Sequence, residues 1–386
     1  MSQKIGYAFF CHAFFIFLGF ILRFVLSCKT FGTNDVNTWY NFCEVASNLG
    51  ITEVYIKYPN ANHPPVSLWL MRALFRLANA LDVPFYALFK GVVSFFDIIT
   101  MVIVGFKGGI LPLALYSFSP VALYTIGYHG NTDGIVVALS LLGMTLINHR
   151  RYPFIAGMLI GLCSSIKLIG ALLLPFLWRY DSRCFFRGVI GALIPLSSLL
   201  FGIYLAPHQF VNQVVRYSPP FDYWGVPMLA TMIAYEWRSL WSNFPKELVA
   251  LYIPIAKIST ILVSFFIGKG TGSSLNNSDW NDTLIIMGVF VILAPGFGMQ
   301  YLLYPLPFLC CLLPKKALIY NIFGGVAALV LVIHFYRPMN GIPASFHNST
   351  SPPLAIFFLF LTWVVIVDSL FSVLYKNKRL ANKFIH

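Results

Sequence analysis

The chain has 386 residues, of which 58% are hydrophobic and only 10% charged, and its mean hydropathy is +0.77. A soluble domain runs near a quarter charged, so this composition excludes a large soluble domain and indicates an all-α polytopic membrane protein. The net charge of +13 would suit nucleic acid, but the basic residues stand at the ends of apolar stretches, as the positive-inside rule requires, which argues against a nucleic-acid partner.

A spanning helix needs about 20 apolar residues, so about 11–12 spans fit, within a single domain over 1–386. The first runs from Ile5 to Leu26, with Lys4 placing the N-terminus in the cytoplasm. It reads as a retained span, because no small-residue cleavage site follows. Residues 27–84 then form an external loop, with a short surface helix expected over Thr38–Leu49. Val66–Leu81 is apolar but carries Arg72 and Arg76 four residues apart. A mid-membrane arginine costs a few kcal/mol, whereas an interfacial amphipathic helix accommodates both.

Phe85–Phe106, Ile110–Tyr128 and Gly134–Asn148 read as crossings, with HGNTD (129–133) outside. Pro153–Trp178 has basic flanks at both ends. Two short half-crossings turning near Ser164, Ser165 and Lys167 would place both flanks inside; a single straight crossing would leave one flank against the charge rule. Gly188–Ala206 leads to a second external loop, 207–247, rich in Trp, Tyr, Arg and Pro. Crossings follow at Leu248–Ile267, Thr283–Gly298, Tyr301–Leu313, Ala317–Ile333 and Leu354–Leu374, and a basic tail ends inside. Asn348-Ser349-Thr350 is a glycosylation triplet of a kind that also occurs by chance. The seven cysteines show no metal or CxxC spacing, and most lie in apolar spans, where Cys behaves as a small hydrophobe.

Several polar residues need a reason. Asp35, just outside the first span, can take a proton from a sugar hydroxyl as it attacks, with partial desolvation raising its pKa toward the working range. Its plainer role is to cap the Thr38 helix. Lys167 lies alone among apolar residues; it holds a phosphate and stabilises a leaving group, or it snorkels. Arg216, in RYSPPFDYW with Asp222, can clamp a phosphate, while Tyr217, Phe221, Tyr223 and Trp224 line a sugar site or belong to the interfacial belt. Asp133 orients substrate or caps the following helix. Asp97 has Lys90 seven residues earlier on the same face, to neutralise it unless a neighbour does. His63 and His129 read as hydrogen-bonded interface residues, and Glu236 with Arg238 as a surface ion pair.

Four blocks carry a family resemblance. NDVNTWYNFCE is followed about 25 residues later by His63-Pro64-Pro65. SPVALYTIGYHGNTDGIVVALSLLGM holds Ser119-Pro120 and Gly130-Asn131-Thr132-Asp133. GMLIGLCSSIKLIGALLLPFLW has Lys167 and Pro175, and PGFGMQYLLYPLPFL has Gln300, Tyr301, Tyr304 and Pro305. In order and spacing these resemble the GT-C superfamily of membrane glycosyltransferases, most of all the dolichyl-phosphate-glucose-dependent and polyprenyl-phosphate-mannose-dependent enzymes.

The resemblance implies a GT-C-like bundle with interfacial helices in the first external loop. It implies an inverting hexosyl transfer, mannosyl or glucosyl, from a polyprenyl- or dolichyl-phosphate sugar to a lipid-linked or glycan acceptor. The reaction would occur on the extracytoplasmic or lumenal face of a bacterial inner membrane or ER membrane. Asp35 would be the base, followed by Trp39 and Tyr40 as in the family, with Lys167, Arg216, His63, Asp133, Gln300, Tyr301 and Trp39 around the substrates. The eukaryotic glucosyltransferase branch has a basic residue or His where this chain reads GMQY, so phosphate contact would fall on Lys167 and Arg216. Some relatives pair carboxylates in the first loop; here Asn34, Val36 and Asn37 flank Asp35, so no metal or other cofactor is expected. The competing reading is a transporter or lipid flippase, disfavoured because the charges gather at one face and no paired repeat is visible.

Overall fold

The computed structural model describes residues 2–149, 152–217, 246–270, 278–294, 296, 298–335 and 353–383. Asp222, Tyr223, Trp224, Glu236, Arg238 and the 348–350 triplet lie outside these residues, as does most of the 207–247 loop. The described residues are helical and contain no strand. Six helices are long and apolar enough to cross a membrane: Phe9–Lys29, Phe85–Gly108, Ser182–Leu205, Leu251–Lys269, Pro314–Ile333 and Leu354–Tyr375. A pair bent by 42°, Ile110–Ser117 with Pro120–His129, makes up to a seventh, and four shorter apolar helices lie over 133–147, 153–166, 168–179 and 299–312. Phe10, Phe14 and Phe17 on the first helix and Phe186, Ile190 and Leu193 on another stand exposed. Apolar surface of that extent is untenable in water and natural against lipid, so the chain is an integral, multi-pass membrane protein.

Helices α1 (Ser2–Lys29) and α5 (Phe85–Gly108) pack antiparallel. Their pairs run in opposite order along the two helices: Thr30 with Lys90, Ser27 with Ser94, Arg23 with Asp97, His12 with Gly105. Of the two partners the sequence left open for Asp97, Lys90 or a neighbour in the bundle, the neighbour holds it. Asp97 is held by Arg23 at 2.7 Å and by the Tyr116 hydroxyl at 2.6 Å, with all three side chains buried. Lys90 instead donates to the Thr30 carbonyl at the last turn of α1, where unpaired helix carbonyls attract a cation.

Between α1 and α5 lie α2 (Asn34–Asn48), α3 (Ile51–Lys57) and α4 (Pro65–Ala80). Helix α4 buries Leu68, Met71, Leu74, Phe75 and Ala78 and leaves Arg76 exposed. Such a two-faced helix suits the membrane surface, and at 16 residues it falls short of a span. Helix α2 begins four residues before the expected Thr38, because Thr33 caps it and accepts from the Asp35 N–H. Asp35 therefore sits in the first turn of α2 and does not cap a later helix.

Beyond α5 come α6 (Ile110–Ser117), α7 (Pro120–Ala122) and a π-helical turn, Leu123–His129, then α8 (Asp133–His149), α9 (Pro153–Ile166) and a 3-10 helix, Leu168–Arg179. The 3-10 segment contains Pro175, which cannot donate the bond an α-helix would need. Helix α10 (Ser182–Leu205) packs so closely on α9 that a methyl added at Gly157 would lie 1.9 Å from the Gly188 oxygen, and one at Gly161 2.4 Å from that of Ala192. Contacts rising together along both helices mean that they run parallel. The 3-10 segment between them must return, and 153–179 is a hairpin of two short legs with Lys167 at its turn. The 14 and 12 residues of these legs span about 21 and 24 Å, short of the ~30 Å hydrocarbon core.

Candidate active site

The polar groups that these elements bring together lie at one end of the bundle. Two backbone loops approach closely there. Gly32 has φ +106° and Gly130 φ +81°, and a methyl at either would meet the Tyr128 oxygen or the Val36 side chain at 2.7 and 2.2 Å. Only glycine allows that conformation and that approach, and the contact sets α2 against the HGNTD segment.

That segment then presents alternate residues to two partners. Asn131 donates from Nδ2 to Asp35 Oδ2 at 2.6 Å, and its Oδ1 accepts from the Thr132 N–H at 2.7 Å, which fixes the amide orientation. His129 Nε2 lies 3.2 Å from the same Oδ2. Asp133 turns the other way. Its fully buried carboxylate receives Lys167 Nζ on both oxygens, at 2.8 and 2.9 Å, and the Tyr304 hydroxyl on Oδ1. Asp133 thus holds Lys167, because a buried carboxylate must be paired.

Asp35 remains 40% exposed. Burial of the carboxylate by itself pushes its pKa up, but the charge and hydrogen bond of His129, the bond from Asn131 and the charge of Lys167 outweigh it and bring the pKa down to about 2. This corrects the expectation of a raised value: the chain supplies Asp35 with more donors than burial removes from it. Its place in the first turn of α2 works in the same direction.

Lys167 is largely covered, and its ammonium lies 5.5 Å from the centre of the Tyr301 ring. The His63 ring lies 4.4 Å from that of the buried Trp39, tilted by 36°. Burial, and the charge of Lys167 after it, push the His63 pKa down to about 3, so this ring is neutral. Tyr217 hydrogen-bonds Asn62 and feels the charges of Lys167 and Asp35. Arg216 is exposed and reaches Asn212 at 3.5 Å; its side chain is not joined to the cluster. Gln300 is half-buried in the 3-10 turn Met299–Leu303 with Tyr301. Among the described residues no three His, Cys, Asp or Glu side chains converge to hold a metal ion.

A carboxylate fixed beside a held lysine, under aromatic rings at one end of a membrane bundle, can bind a sugar and a phosphate together. The sequence model of glycosyltransferase family 87 matches residues 63–295, more than half of the chain. The chain belongs to glycosyltransferase family 87. The resemblance to GT-C membrane glycosyltransferases is thereby borne out at the level of the enzyme class. The family 87 match contains His63, His129, Asn131, Asp133 and Lys167; Asp35, Gln300 and Tyr301 lie outside it.

Among solved structures, ArnT from Cupriavidus metallidurans bound to undecaprenyl phosphate is 12% identical, with a TM-score of 0.41 over 93% of this chain and 76% of that one. The curated proteins include no match.

Of this candidate site, sequence reasoning singled out Asp35, Asp133, Lys167, His63 and Tyr301. It set aside His129 and did not weigh Asn131 or Thr33. The signal was present in HGNTD, where polar residues recur at every second position, but which partner each would meet depends on the turn at Gly130.

Proposed function

We propose that this family 87 enzyme is an inverting, metal-independent hexosyltransferase. It moves a mannosyl or glucosyl group from a polyprenyl- or dolichyl-phosphate donor to a lipid-linked or glycan acceptor at the extracytoplasmic or lumenal face, with the whole chain acting as one domain. The observation that carries this reading is an ionised, partly exposed Asp35 that feels the charge of Lys167 and is engaged on one oxygen by His129 and Asn131. The acceptor oxygen attacks the anomeric carbon, the bond from that carbon to the phosphate oxygen breaks, and the lipid phosphate leaves with the electron pair. The acceptor's proton passes to Asp35 Oδ1, which carries no contact among the described residues.

A carboxylate whose pKa lies near 2 is a weak base. It accepts the proton only as the new bond nears completion, when the hydroxyl has become strongly acidic. Before that point its negative charge orients the hydroxyl and stabilises the positive charge growing on the sugar. Lys167, held by Asp133 and Tyr304, meets the departing phosphate, with Arg216 proposed as a second contact from outside the cluster. With Asp133 taken up by Lys167 and Tyr304 and Asp35 offering a single open oxygen, no pair of carboxylates is available for a hard cation, which supports the metal-independent reading. The family, and a site at the end of the bundle instead of its middle, argue against a transporter.

The test is chemical. The purified protein in lipid, given polyprenyl-phospho-mannose or -glucose with an acceptor extract, releases polyprenyl phosphate at a rate unchanged by EDTA. No release from either donor would overturn the reading, and a chelator-sensitive rate would overturn its metal independence.

A further inference from the structure

Asp35 does not hold its position alone. His129 Nε2 is 3.2 Å from Oδ2, and on the opposite edge of the ring Nδ1 is 2.9 Å from the Thr33 hydroxyl. That hydroxyl is also 2.9 Å from the His129 carbonyl oxygen, which accepts the Thr33 N–H at 3.2 Å as well. The Tyr124 ring is stacked on the imidazole at 5.7 Å. The imidazole is thus fixed on two edges and one face. If the hydroxyl hydrogen points to Nδ1, the neutral ring carries its proton on Nε2; if it points to the carbonyl, Nδ1 must donate, and a bare Nε2 lone pair would face a carboxylate. In the first arrangement the Nε2 proton faces Asp35 Oδ2 at ion-pair distance; in the second only a ring protonated on both nitrogens carries a proton there.

We infer that His129, locked by Thr33, is a positioning residue for sugar transfer: it anchors Asp35 through Oδ2 and so presents Oδ1, ionised, to the acceptor hydroxyl. This deepens the reading of Asp35 given above and rests on it. The titratable groups that face Asp35 are His129 from the π-helical turn, Lys167 from the hairpin turn, His63 from the first loop, and Tyr124, Tyr217 and Tyr301. Of these, His129 lies within ion-pair distance, at 3.2 Å, so its removal changes Asp35 most. The value near 2 then moves back toward that of an ordinary carboxylate. Thr33→Val weakens the same anchor from one bond further away.

His129→Ala is expected to lower kcat by 10- to 100-fold while the donor KM changes by less than threefold. It also brings an acidic limb into the pH–rate profile that the unaltered enzyme lacks above about pH 4. His129→Gln, whose amide can donate from a similar place, recovers to within fivefold of the unaltered rate. In an Asp35→Asn background His129→Ala costs nothing further, because the two act as one unit. A second readout needs no turnover. Water-soluble carbodiimide attacks protonated carboxyls, so labelling of the Asp35 peptide at pH 5, followed by mass spectrometry, rises at least tenfold in His129→Ala. Unchanged labelling, an unchanged pH profile, or losses that multiply with Asp35→Asn would overturn the inference. If the unaltered protein transfers no sugar, the reaction reading fails and the labelling still decides whether His129 anchors Asp35.

Discussion

At the scale of single residues, the site is organised by two carboxylates with opposite tasks. Asp35 is anchored on one oxygen and open on the other; Asp133 is buried and spends both oxygens on Lys167 and Tyr304. Removing a partner from a buried ion leaves an uncompensated charge, at a cost of about 3–5 kcal/mol. Lys167→Met is therefore expected to lower stability by about that amount in thermal unfolding, and Lys167→Met with Asp133→Asn to regain more than half of it. Full stability of the single variant would mean that the pair is not closed. His63 gives a pH prediction. Its folded pKa of about 3 lies below the ordinary 6.5, so between those values the unfolded chain binds the extra proton and acid favours unfolding. The Tm falls from pH 6.5 toward pH 4.5, and falls less in His63→Phe, which keeps a ring beside Trp39. Asp35 does not confuse that window, because its stabilisation is complete above the ordinary 3.8 and is lost only as the pH drops through about 2.

At the scale of elements, two packing devices set the frame. One is the antiparallel α1–α5 pair with Arg23 and Asp97 at its centre. The charged residue on α5 was visible in the sequence, but its partner lay inside the span read as Ile5 to Leu26 and cannot be assigned without the helix register. The other is the glycine contact between α9 and α10. Gly157→Ala forces a methyl to 1.9 Å from the Gly188 oxygen, and overpacking of that kind costs about 1–3 kcal/mol. Gly91→Ala, whose nearest neighbour would be a Phe24 ring atom at 3.6 Å, leaves the Tm unchanged or higher. Equal Tm values for the two would refute the close crossing. The hairpin of 153–179 was legible as the reading that puts both basic flanks on one side, with a straight crossing left open as the alternative. That its second leg is a 3-10 helix was not, since the pattern of apolar residues fits either helix.

At the scale of the whole molecule, the polar cluster and a second charged group occupy opposite ends of the bundle. Arg179 binds Asp279 and Asp282, while Lys107 lies 5.7 Å from the centre of the Trp280 ring. Helix α8 leads from the first end, at Asp133, to the second, where Tyr180 donates to the Leu146 carbonyl. The class of protein followed from composition, since so low a charge fraction fits no soluble fold of this length. The membership of the site followed only in part. Asp35 and Lys167 stand out as charges beside apolar spans, whereas His129, Asn131 and Thr33 are ordinary polar residues whose roles come from the Gly32–Gly130 approach. The central claim is that Asp35 is the group that receives the acceptor's proton. The most direct measurement compares Asp35→Asn with the unaltered protein in lipid, scoring both binding of the polyprenyl-phospho-sugar and release of polyprenyl phosphate. The account predicts donor affinity within a few-fold and release reduced at least a thousandfold. Release at the unaltered rate from the Asn variant would contradict it.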